Sequence, residues 1–227
     1  MLSVKEAAHR LGVNPQRVRA LIAENRLPAQ LVGGAYVLDP GAVAAFAQVP
    51  RVRGRPLSAR SAWALLAELS GHDGPVLSSR SEDRVRALLR RKSDAIIRSL
   101  VHSEPRSELY RWRVLEIDLK RLMNDPTLVP SGLAADNELV SVRYDPIRDG
   151  LDSYVSGDRL KELERRIQPS QDSDKPNLLL RAPLESSWIL EEKVAPPAVA
   201  AADLLVHSDP RVRRAGNDAI RRLVNSD

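Results

Sequence analysis

Between residues 3 and 41 almost every chain reversal is marked by a residue with a specific backbone preference, which restricts this segment to very short elements. Ser3 is followed three residues later by Glu6, the spacing of a capping box. The apolar face Val4, Ala7, Ala8 and Leu11 then predicts a short helix that Gly12 terminates. Asn14-Pro15 is an N-cap followed by proline at the first helical position, and Val18, Leu21 and Ile22 supply the i, i+3, i+4 stripe of a second helix. Only a tight turn fits between the two. Two β-like runs, LPAQLV and AYVLD, flank Gly33-Gly34, a two-residue hairpin signal. Asp39-Pro40 opens a third helix reaching about Ala47, with Val43 and Phe46 toward the core.

Two short helices joined this way form a helix-turn-helix, whose second helix enters the major groove of DNA. With Val18, Leu21 and Ile22 turned inward, Gln16, Arg17, Arg19 and Ala20 face solvent or DNA. Arginine can bridge O6 and N7 of guanine, glutamine can pair with adenine, and either can hold phosphate. The competing reading is a solvated face carrying arginines that a GC-rich genome supplies without functional cause. The order helix-turn-helix, Gly-Gly hairpin and closing helix resembles the winged-helix domain of the excisionase and MerR group. SVKEAAHRLGV, the Asn14-Pro15 pair and LVGGAYVLDPGAVAAF carry that resemblance over residues 1–47. It implies DNA contact by Asn14, Gln16, Arg17, Arg19 and Ala20 at the reading edge, and by a wing at Gly33 and Gly34. Many relatives have a basic residue after the two glycines. Ala35 stands there in this chain, so wing contacts to phosphate are expected to be weaker or limited to the glycine N–H groups.

The charge distribution agrees with such a partner. Residues 1–60 hold nine Lys/Arg against three acids, which accounts for the whole formal net charge of +5. Four of those arginines lie in VPRVRGRPLSARSAW, residues 49–63. Residues 48–57 read as a basic linker, and Arg53-Gly54-Arg55-Pro56 is the core tetrapeptide of an AT-hook. In such a motif the glycine lets the backbone lie on the floor of a narrow A·T-rich minor groove while the flanking Arg53 and Arg55 enter the negative potential there; anchoring of phosphate by Arg51, Arg53 and Arg55 is the other expected contact. The same stretch also reads as an extended lead into a helix capped by Ser58 and closed by Gly71.

Cysteine is absent and the four histidines are scattered, so no disulfide, metal site or cofactor is expected. The charged N-terminus and the lack of any long apolar run predict a cytoplasmic chain with no membrane span. No phosphate-binding loop, nucleophile elbow or zinc-protease motif occurs. Asp145, Asp149 and Asp152 read as a polar turn and Asp203 as a locally paired acid, so no catalytic residue is assigned and no enzyme is expected.

Residues 58–131 are helix-rich, with buried stripes at Val85, Leu88, Leu89 and at Ile96, Ile97, Leu100. The run ELYRWRV alternates like a strand, and Asp118 is placed as the cap of a helix ending at Leu122. Helices followed by an amphipathic strand suggest a second winged-helix-like domain. Arg84, Arg91 and Arg98 recur every seven residues on the side away from the core, and a solvated face is favoured over phosphate contact there. Residues 132–227 form an α+β domain with strands at LVSVRYD, SYVSG and NLLLRAP, a polar loop QPSQDSDKP, and two proline-initiated helices sharing a seam.

In LVPSGLAA, SYVSGDRLKELERRI, NLLLRAP and VAPPAVAAADLLVHSDPRVRRAG, residues 57–227 resemble the C-terminal region of actinobacterial AbiEi-type antitoxins and related regulators. That resemblance implies an autoregulator paired with a toxin, although those antitoxins carry a different N-terminal winged helix. The expected fold is mainly α with small β elements (α+β), an N-terminal winged helix-turn-helix leading into a helix-rich and α+β C-terminal region. The expected function is sequence-specific binding of double-stranded DNA in transcriptional regulation, by a homodimer or by several DNA-contacting modules in one chain. An antitoxin with a toxin partner and a recombination or DNA-architecture factor are the alternatives.

Overall fold

The computed structural model describes residues 1–23, 26–48, 55–135, 144–171, 176–207 and 209–225. Strand β1 (Leu2–Ser3) leads directly into helix α1 (Val4–Leu11), and α2 (Pro15–Ala23) follows after the Gly12–Asn14 turn. Strands β2 (Ala29–Val32) and β3 (Ala35–Leu38) form the hairpin, and α3 (Pro40–Gln48) closes the unit. β3 lies between β1 and β2, antiparallel to both. Leu2, Ala7, Ala8, Val18, Leu21, Ile22, Leu27, Leu38 and Val43 share a core of their own beneath this sheet.

Beyond the linker, α4 (Ala59–Ser70), α5 (Ser79–Leu89) and α6 (Ser93–Val101) come first. Strand β4 (Ser107–Arg113), α7 (Glu116–Leu122), β5 (Val129–Pro130) and a 3₁₀ turn (Gly132–Ala135) follow. The short α8 (Pro146–Asp149) precedes β6 (Leu151–Tyr154), α9 (Gly157–Ile167), β7 (Ser170–Gln171) and β8 (Leu178–Pro183). A 3₁₀ turn at Trp188–Glu191 leads to α10 (Pro197–Leu204) and α11 (Pro210–Asn225).

The expected α+β architecture is present, with helices packed on both faces of one sheet. The five-stranded sheet has the order β5-β6-β8-β4-β7, with β6 parallel to β8 and the remaining pairs antiparallel. On one face Trp112, Leu151, Leu178 and Leu180 meet Leu119, Leu122, Leu160 and Leu163 of α7 and α9. A second cluster joins α4, α5 and α6 to α10 and α11 around Trp63, Tyr154, Ile96 and Ile220. Trp63 and Tyr154 are fully buried, their rings edge to face with centroids 5.6 Å apart. Side chains of this size each contribute about 1.5–3 kcal/mol through burial.

Several expectations for residues 58–227 are corrected. Strand β4 has no hairpin partner of its own: it pairs with β8 from Ser107↔Pro183 to Trp112↔Leu178, and with β7 at its end. Residues 58–131 therefore close neither a second winged helix nor a separate domain, because α10 and α11 complete the core of α4–α6 and later strands complete the sheet. Asp118 is not a cap; α7 begins at Glu116 with Leu115 in the capping position, and Asp118 lies in the first turn. Part of the loop QPSQDSDKP is ordered as β7. The strand placed on LVSVRYD falls on residues of which 139–143 lie outside the described ones.

Candidate nucleic-acid interface

The N-terminal unit is positioned by its caps. Ser3 Oγ accepts from the Glu6 amide at 3.3 Å while Glu6 Oε2 accepts from the Ser3 amide at 2.7 Å. The bond from the Ser3 amide, and after it one that Ser3 Oγ donates to Glu6 Oε2 at 2.7 Å, hold the Glu6 carboxyl below the usual carboxylate range. Gly12 at φ 63° takes the left-handed conformation that ends α1, and the Val13 amide returns to the Ala8 carbonyl at 3.0 Å. Asn14 Oδ1 accepts from the Arg17 amide at 2.7 Å. The chain thus enters α2 with three fixed residues between the helices.

On α2, Val18 is fully buried, with Leu21 and Ile22 buried beside it, whereas Gln16, Arg17 and Arg19 are exposed. Ala20 is half-buried at the margin. The exposed trio includes the N-terminal end of the helix, the end that reaches base edges in this motif. Asn14 is exposed, but its side-chain oxygen caps the helix, a role fixed by local geometry.

At the wing tip both glycines have positive φ, 57° at Gly33 and 78° at Gly34, between the paired Val32 and Ala35. Two consecutive positive φ values are what a type I′ hairpin requires. A methyl group at either position would meet nothing within 4 Å, so conformation alone selects glycine there. The tip is exposed, and Val32 and Tyr36 beside it are 48% and 40% accessible. Residues 1–48 match the family model described as a helix-turn-helix domain. No curated protein and no solved structure gives a significant match to the chain.

The helix-turn-helix domain is docked on the rest of the protein at a point the sequence does not announce. Arg26 donates through Nε and Nη2 to the Val101 carbonyl, both at 3.3 Å, and Nη2 lies 3.4 Å from His102 Nδ1. The Phe46 ring meets the His102 imidazole edge to face at 5.5 Å. A cationic residue counted with the basic N-terminal segment is thus engaged inside the molecule. The docking leaves Gln16, Arg17, Arg19 and the wing tip open to solvent. A cleft of about 950 Å³ separates the wing strands from the sheet, with Gln30 and Tyr36 on one wall and Leu109 and Leu179 on the other.

Of the linker residues, Arg51, Arg53 and Gly54 lie outside the described ones. Arg55 is exposed, and its carbonyl accepts a hydrogen bond from Arg84 Nη2. Arg84 Nη1 donates to the Pro56 carbonyl at 3.1 Å. Arg84, read from the heptad spacing as part of a solvated face, instead grips the end of the linker. The reading of Ser58 as a cap is met: its Oγ accepts from the Ser61 amide at 3.2 Å.

The carboxylates considered for chemistry are all engaged. Asp145 caps α8 and Asp149 forms a two-pronged pair with Arg148, 2.9 Å at each contact. Asp152 holds Arg181 through two hydrogen bonds of 2.7 Å. Asp203, expected to pair locally, has partners distant in sequence among the described residues. It accepts from Arg106 at 2.9 Å, Ser131 at 2.7 Å and Tyr154 at 3.0 Å, and stands 3.5 Å from Arg181 Nη1. Burial would favour a neutral Arg181, yet Asp152 and Asp203 outweigh it and hold the guanidinium charged. Burial, then Asp203, pushes the Tyr154 phenol up and keeps it a hydrogen-bond donor. This cluster ties α10 to the sheet. No group of three or more His, Cys, Asp or Glu side chains able to hold a metal ion occurs among the described residues.

Proposed function

We propose that the protein is a sequence-specific DNA-binding transcriptional regulator without enzymatic activity, acting inside the cell. The observation that carries this reading is the division of α2 within a helix-turn-helix domain. Its apolar edge is buried, while Gln16, Arg17 and Arg19 stand exposed along the edge that faces a major groove. In this reading Gln16, Arg17 and Arg19 read base edges, Ala20 lies at the margin of the contact, and Asn14 orients the helix. Gly33 and Gly34 present wing amides to phosphate, and Arg51, Arg53, Gly54 and Arg55 add a sequence-tolerant arm on the minor groove or the backbone. A single small module binds DNA weakly, so a homodimer on a paired site, or further contacts within one chain, supplies the remaining affinity.

The test is selection of bound fragments from the source genome by purified protein. The expected result is enrichment of one or a few sites, with Arg17→Ala/Arg19→Ala abolishing the preference and Arg53→Ala/Arg55→Ala lowering affinity for all sequences alike. Failure of the wild type to enrich any site at physiological salt overturns the proposal.

A further inference from the structure

Helix α5 carries one apolar edge and one arginine edge. Val85 and Leu88 are buried against the helical core. With 3.6 residues per turn, the opposite side holds Arg80, Asp83, Arg84, Ala87, Arg90 and Arg91, the last two in the turn that leads to α6. Lys92 adds a further exposed cation in that turn. Arg55, Arg80, Arg90, Arg91 and Lys92 are all exposed and have no counter-ion among the described residues. Other charges close by are already neutralised: Glu82 pairs with Arg86 at 2.6 Å, and Asp94 is taken by Arg221 at 3.2 Å. Asp83 is the one acid within the arginine edge. Ala87 lies in the middle of it, where a small side chain lets a polyanion backbone come close.

The second observation is independent of charge count. The Arg84 guanidinium donates to the carbonyls of both Arg55 and Pro56, which fixes the end of the linker onto this same face. The described end of the linker, with the Arg55 side chain exposed on it, is therefore continuous with the α5 edge. Helix α6 itself is unavailable as a reading helix, because α10 and α11 pack against it and Ile96, Ile97, Leu100 and Val101 are buried.

We propose that the outer face of α5, the Arg90–Lys92 turn and Arg55 form a second surface for the sugar-phosphate backbone of duplex DNA, one that binds without reading sequence. This rests on the DNA-binding reading above and extends it to a region outside the helix-turn-helix domain. Each phosphate neutralised by a cation contributes roughly 0.9 to the slope of log K against log salt on B-form DNA.

The experiment measures binding of the full chain to its selected duplex by fluorescence anisotropy across a KCl series. Wild type is compared with Arg80→Ala/Arg90→Ala/Arg91→Ala/Lys92→Ala, which spares the Arg84 clamp. The expected result is a slope shallower by roughly 2–4 and affinity lower by roughly 10–100-fold near physiological salt. Sequence preference and thermal midpoint stay unchanged, and the protected region in a footprint is shorter. The same positions changed to Lys, with Lys92 retained, keep the wild-type slope. If the alanine variant matches wild type in slope and affinity, the second surface is refuted while the regulator reading stands. If the wild type itself binds no duplex, both fall.

Discussion

Arg26 and Val101 lie 75 residues apart in the chain, yet the guanidinium of one donates twice to the carbonyl of the other at 3.3 Å. This contact, with the Phe46–His102 ring pair beside it, orients the helix-turn-helix domain relative to the helical layer. Arg26→Ala is expected to loosen that docking without unfolding residues 1–48, whose core is independent of it. The loss should be about 1.5–3 kcal/mol, the range for hydrogen bonds made by a charged group. Hydrogen exchange should quicken around Val101 and His102 while α1 and α2 keep their protection. Uniform loss of protection across residues 1–48 would show that the contact supports the domain's own fold.

Asp203 neutralises two arginines and accepts from two hydroxyl groups in the interior. Asp203→Ala leaves Arg106 and Arg181 short of a counter-charge, and breaking a buried pair from one side costs about 3–5 kcal/mol. Urea unfolding should show a loss of that size. A cost below about 1 kcal/mol would mean that Asp152 alone suffices for Arg181.

The wing gives a conformational test. Gly34→Val places a β-branched side chain at φ 78° and should cost about 1–2 kcal/mol although no neighbour is struck. Gly33→Asn, at φ 57°, should cost much less, because asparagine tolerates that region. Thermal midpoints of the two variants decide it; equal effects would contradict selection by backbone conformation.

His207 supplies a pH dependence. Burial, ahead of the nearby arginines, lowers its folded pKa below the ordinary value of 6.5, and Nδ1 already accepts from the Asp209 amide at 3.0 Å. The unfolded chain therefore takes up a proton first on acidification. Stability should be undiminished above pH 6.5 and fall as pH drops from there through the folded pKa. His207→Gln should flatten that part of a stability-against-pH curve. An unchanged slope below about pH 6.5 would rule His207 out as its source.

These features differ in how far the sequence announces them, and the difference is one of range. Ser3 with Glu6, Asn14 with Pro15, and Gly33 with Gly34 act on atoms within a few residues, so the N-terminal domain and its exposed α2 edge are legible directly. The same holds for Ser58 and Gly71 at the ends of α4. Strand β4 shows its alternation, but its partner lies some seventy positions away, and nothing local selects β8 over a hairpin. Asp203 sits among alanines and resembles a locally paired acid until the sheet brings Arg106, Ser131 and Tyr154 to it. Arg26 and Arg84 read as surface cations because the backbone carbonyls they donate to leave no trace in residue identity.

Gly216 lets α11 lie close on α10: a methyl group there would stand 2.8 Å from the Ala201 carbonyl oxygen. Through that fit α11 covers α6 and also touches α3, so one late helix closes the helical core and meets the first domain. During synthesis the N-terminal domain has all its own core residues as soon as α3 leaves the ribosome, whereas α4–α6 must wait, apolar side uncovered, until α11 emerges. The nascent chain thus passes through a stage in which a finished N-terminal head is tethered to an open helical layer, and α11 converts that pair into one body.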